Sequence, residues 1–277
     1  MRKKLLITLG CSFTEGVGCY EPSLLDENGK PLYDEGTVYA ASLDRFHRFG
    51  WPASLQKKLQ YDCLWNLGHG GASNSENVKR WMEVFSVEAI PKEYDVLVIW
   101  MLTFAGRISF YKEGKIRSIL PGNGDGKDVY QQLYNSYLNF LGNDIFSKNA
   151  IENDMILETY FYLNVIKTIC ELSNYNFLYI NSANFEGLHI DSLVRDRHSL
   201  NFTYKTLYPY PQYNSILDRD DEGCKKYTAF CGHPNENGYE LIADRFFNMI
   251  SHEHKHLIND VTPQTYEMRY LGNPRQW

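Results

Sequence analysis

The chain has 277 residues, of which 43% are apolar and 22% charged, and a net charge of -6. That balance fits a folded domain with a sizeable buried core and lacks the basic footprint by which proteins grip nucleic acid. No apolar run reaches the roughly 20 residues of a membrane span, so neither nucleic acid nor a membrane is expected as a partner.

The N-terminal Met1-Arg2-Lys3-Lys4, followed by Leu5-Leu6-Ile7, has the outline of a signal peptide. Its apolar run is too short, however, and ends in Gly10-Cys11-Ser12 without a small-residue cleavage site. The segment reads instead as a buried strand from Lys4 to Leu9. Three further runs, Asp62 to Leu67, Asp95 to Met101 and Asn176 to Ile180, are short, apolar and bounded by polar or glycine residues, as buried parallel strands are.

Helical patterns lie between the strands. Trp51 to Leu59 carries Pro52 where a first helical turn accepts it. Asn74 to Val87 opens with Ser73 or Asn74 as N-cap. Asp154 to Leu172 shows apolar residues at three-to-four spacing, and Asn235 to Ser251 closes the series. Alternating strands and helices predict an α/β fold, a parallel sheet covered on both faces.

Residues 107 to 153 and 182 to 230 interrupt the rhythm and read as insertions, the second turn-rich around Tyr208 to Tyr213. Such stretches often form lids or substrate walls. The tail from about residue 257 is expected to pack on the domain or on a partner. With no repeat or linker visible, residues 1–277 read as one domain. The six cysteines (Cys11, Cys19, Cys63, Cys170, Cys224 and Cys231) lack metal-type pairing. Reduced thiols, a cytoplasmic location and no bound metal or cofactor are therefore expected.

Candidate chemistry collects after the strands. In an open parallel sheet, ligands bind at the carboxyl ends. Ser12 follows the first strand at a sharp turn. The second strand runs into Asn66-Leu67-Gly68-His69-Gly70-Gly71-Ala72-Ser73-Asn74, where glycines let backbone N–H groups approach a substrate. Gly232-His233-Pro234-Asn235-Glu236-Asn237-Gly238 precedes the last helix and can hold an imidazole over the same edge.

These blocks resemble the SGNH, or GDSL-like, hydrolase family. Gly10-Cys11-Ser12-Phe13-Thr14-Glu15-Gly16 stands where the family has Gly-Asp-Ser-x-x-x-Gly. Asn66, Gly68 and Gly71 match its Asn-x-Gly-x-x-Gly context, and His233, Pro234, Asn235 and Gly238 match its closing block. The resemblance implies a three-layer α/β/α sandwich with a flavodoxin-like parallel sheet. It also implies a serine hydrolase acting on ester-linked acyl groups, O-acetyl on carbohydrate among them. Ser12 would be nucleophile and His233 base, and the N–H groups of Ser12 and Gly71 would form the oxyanion hole.

The departures are specific. Phe230 occupies the triad acid's place, three residues before His233. A backbone carbonyl therefore orients the histidine, or an acid arrives from elsewhere, with Asp220, Asp221 and Glu222 as candidates. After the third strand, Trp100-Met101-Leu102-Thr103-Phe104-Ala105-Gly106-Arg107 lacks the family's asparagine, so Thr103 and Asn74 are the candidate third donors. Arg107 is the candidate for binding a substrate carboxylate or oxyanion, with a surface ion pair as its other reading. A catalytically silent module of the same fold, and an O-acyltransferase, are the alternative functions.

Simpler roles stand beside these. Ser12 is also a good N-cap, and Cys11 is expected to face the core. His69 reads as a second base or as a plain loop residue. His252, His254 and His256 suit a solvated helix end.

Overall fold

The apolar run after the first lysines is buried from both sides. In the computed structural model, which describes residues 2–88, 90, 92–103, 107–112, 115–119, 132, 145–181, 199–200 and 227–271, Lys3–Leu9 forms strand β1. Its side chains alternate between two cores, as strand geometry dictates. Leu5, Ile7 and Leu9 enter one core and Leu6 the other, all fully buried.

The chain continues through a one-turn helix α1 (Ser12–Glu15), α2 (Glu35–Phe49), α3 (Trp51–Leu59), β2 (Cys63–Asn66), α4 (Asn74–Glu83) and β3 (Tyr94–Leu102). There follow a hairpin of β4 (Ile108–Lys112) and β5 (Lys115–Ile119), α5 (Ile145–Leu172), β6 (Asn176–Asn181), β7 (Ser199–Leu200), α6 (Glu236–Glu253) and β8 (Glu267–Tyr270). Except for the β4–β5 hairpin, these strands form one sheet in the order β7-β6-β3-β1-β2-β8. Every pairing within it is parallel. Leaving β8 aside, this is the flavodoxin-like doubly wound order, with its switch point between β1 and β3.

Helices cover both faces. Val38 and Phe46 of α2, Leu55 and Leu59 of α3 and Phe246 of α6 pack with Leu6, Leu64 and Ile99. Trp81 of α4 and Ile166 and Cys170 of α5 pack with Ile7, Val98 and Trp100 on the opposite face. The protein is thus a three-layer α/β/α sandwich with a parallel sheet.

Some boundaries differ from the sequence expectation. Helix α2 was not anticipated; Asp34 caps it by accepting from Thr37 N–H at 3.0 Å. Helix α5 starts at Ile145, earlier than the apolar spacing suggests. The stretch expected as an irregular insertion from residue 107 opens with the β4–β5 hairpin. The tail returns to the sheet, where β8 pairs with β2 from Cys63–Glu267 to Asn66–Tyr270. Of the second expected insertion, only β7 and residues 227–230 are among the described residues.

Candidate active site

The carboxyl ends of β1, β2 and β3 carry the residues singled out from the sequence. Beyond β1, Gly10 is pinned by its N–H, which donates to Asn77 Oδ1 at 2.8 Å. Cys11 is the N-cap of α1, is 7% exposed and makes no side-chain cap bond. Ser12 is therefore the first residue of the helical turn and its hydroxyl does not cap it. The hydroxyl points to His233 instead: Ser12 Oγ lies 2.8 Å from His233 Nε2.

His233 is delivered by a tight loop before α6. Gly232 N–H donates to Ala229 O at 3.0 Å, and Ala229 N–H to His233 O at 2.8 Å. Asn235 caps α6 by accepting from Gly238 N–H at 3.1 Å. The helix is anchored beside α1 because Tyr239 Oη donates to Val17 O at 2.7 Å. Gly18 makes the close approach feasible, since a Cβ there would sit 2.0 Å from Pro234 O. The result brings together two residues 221 positions apart.

Phe230, in the place expected for an acid, turns away and stacks on Tyr20, ring centroids 4.6 Å apart. The far nitrogen of the histidine, Nδ1, lies 3.4 Å from Cys231 Sγ. Burial drives the His233 pKa down to about 4, the Arg107 charge pushes the same way, and a hydrogen bond to the Cys231 backbone opposes them. At neutral pH the imidazole is uncharged, the state in which it can accept the serine proton. Asp220, Asp221 and Glu222 lie outside the described residues.

The loop after β2 brings its backbone alongside. Gly71 sits at φ +84, a left-handed conformation that favours glycine. Among the described residues, the N–H groups of Ser12 and Gly71 donate to no acceptor. Arg107 Nη1 donates to Ala72 O at 3.1 Å, so the guanidinium is seated against this loop.

Asn74 has a different job from the donor role expected of it. Its Oδ1 accepts from Thr103 N–H at 2.9 Å, while its Nδ2 donates to Thr103 O at 3.0 Å and to Thr159 Oγ1 at 3.3 Å. Both ends of the amide are thus engaged in clamping the end of β3. Thr103 is held there at 2% exposure, and among the described residues its hydroxyl finds no partner.

Two residues at the site were not singled out as functional from the sequence. Cys231 stands two positions before His233, and only the turn shows that its sulfur reaches the ring. Glu15 is 1% exposed and collects donors from three elements. His69 belongs to the same cluster, with Nδ1 3.9 Å from Glu15 Oε1.

Among the described residues, no helix is long and apolar enough to cross a membrane. No group of three or more His, Cys, Asp or Glu side chains there is arranged to hold a metal ion. Comparison with protein-family models and with curated proteins yields no match to the chain.

Proposed function

We propose that the protein is a serine esterase or deacetylase that hydrolyses ester-linked acyl groups, O-acetyl groups on carbohydrate among them. The observation that carries this reading is the 2.8 Å approach of Ser12 Oγ to the Nε2 of a neutral His233. His233 takes the serine proton as Oγ attacks the acyl carbon. The N–H groups of Ser12 and Gly71, which donate to no acceptor among the described residues, receive the developing oxyanion. Proton return from His233 expels the alcohol, and water activated by the same ring releases the acid. The residue blocks that resemble the SGNH hydrolases support this assignment of roles.

A fluorophosphonate probe tests it. Wild-type protein is expected to be phosphonylated at Ser12, with Ser12→Ala and His233→Ala unlabelled though folded. Ser12-independent labelling, or none in folded wild type, would favour the catalytically silent module, to which Phe230 in the acid's position is the pointer. If product forms only when an alcohol acceptor is supplied, the same nucleophile serves an O-acyltransferase.

A further inference from the structure

Glu15 lies on the turn that begins with Ser12, and its carboxylate is buried behind that turn at 1% exposure. Oε2 accepts from Gly70 N–H at 2.6 Å and from Tyr39 Oη at 2.8 Å; Oε1 accepts from Tyr270 Oη at 2.7 Å. The donors come from the β2–α4 loop, from α2 and from β8. A carboxylate taken out of water is costly unless several donors meet it. The short bond to Gly70 is therefore one the fold is built to keep.

The consequence falls on the next residue. In the loop, His69 N–H donates to Gly10 O at 3.2 Å and Ala72 N–H to His69 O at 3.0 Å. Gly70 N–H is taken by Glu15 and Ala72 O by Arg107. Among the described residues the Gly71 N–H is left without an acceptor, at a residue whose φ is +84. We propose that Glu15 is a positioning residue, which holds the Gly70 amide so that the Gly71 N–H stays aimed at the oxyanion formed at Ser12. This rests on the hydrolase reading, and it makes Glu15 one of the ties, with His69 N–H to Gly10 O and Asn66 Nδ2 to Thr14 O, that hold the oxyanion donor beside the nucleophile turn. Glu15 touches no substrate.

The test combines labelling kinetics with a structural readout. The phosphonyl oxygen of the adduct needs the same N–H donors. Glu15→Ala is therefore expected to lower the limiting labelling rate by about 10²-fold, the scale of losing one oxyanion donor, with the half-saturating probe concentration unchanged. Glu15→Gln keeps a neutral acceptor and is expected to lose about tenfold, since hydrogen bonds to charged acceptors are roughly twice as strong. In the Glu15→Gln variant the Gly70 amide proton is expected to shift upfield in the NMR spectrum.

Wild-type labelling rates in folded variants would overturn the proposal, as would an unmoved Gly70 amide. Should Glu15→Ala not fold, Glu15→Gln decides by both readouts. Failure of wild type to label would overturn the hydrolase reading instead. The Gly70 shift would still report whether Glu15 holds the loop.

Discussion

At His233, Cys231 Sγ lies 3.4 Å from Nδ1, where a triad enzyme would have a carboxylate, and the Cys231 backbone also bonds the histidine. A serine–histidine pair needs its imidazole held in the tautomer that leaves Nε2 free to accept; a wrong tautomer costs about 10⁴ in rate. We propose that the hydrogen bond between His233 and the Cys231 backbone does this, since among the described residues no side-chain acid bonds the ring. Cys231 Sγ, at 3.4 Å, is a weaker partner. Cys231→Ala is accordingly expected to lower the rate of Ser12 phosphonylation by less than about tenfold, far below the tautomer penalty. Labelling kinetics on the folded variant check this, and a loss near that penalty would transfer the orienting role to the sulfur. The same environment makes the ring neutral, because a buried imidazolium would lose its hydration with no carboxylate among the described residues to compensate.

At the scale of elements, the Asn74 clamp ties the start of α4 to the end of β3. Asn74→Ala would leave the N–H and C=O of Thr103 without their partner inside the protein. Unsatisfied buried groups cost about 1–3 kcal/mol, so a loss of about 2 kcal/mol in urea unfolding is expected. A change below about 0.5 kcal/mol would mean that the clamp is replaced on mutation. Strands β1, β2, β3 and β6 were legible in the sequence because burial on both faces demands uninterrupted apolar runs. Helix α3 was legible through Pro52 and its apolar spacing. Helix α2 escaped because only Val38, Ser42 and Phe46 are buried along its 15 residues. Strand β8 escaped because Glu-Met-Arg-Tyr is polar and largely exposed, and backbone pairing with β2 is what makes it a strand. The Ser12–His233 approach was legible through ordered blocks after the right strands. Glu15 was not, since its donors lie 24, 55 and 255 positions away, and no local pattern encodes such a meeting.

Across the whole molecule, β8 links the tail to the site through Tyr270, and Tyr270 is itself covered by a histidine. The His47 ring stacks on it with centroids 3.5 Å apart and planes 24° apart. Burial drives the His47 pKa down to about 4, as it does that of His233. Both groups would titrate near 6.5 in the unfolded chain. Between those two values the unfolded state binds more protons, so stability rises with pH there and is lost as pH falls from about 6.5 toward 4. Each shift corresponds to about 3 kcal/mol at most. The two groups sit at different places in the fold: His47 against the tail strand, and His233 against Ser12. A substitution at one should therefore leave the other's contribution in place. His47→Phe keeps a flat ring against Tyr270 and removes the titration. In denaturant unfolding, the variant is expected to lose about half as much stability as wild type when pH is lowered from 8 to 4.5. An equal loss in both proteins would show that His47 carries no part of the acid sensitivity, which would then have to reside at His233 and the remaining titrating groups.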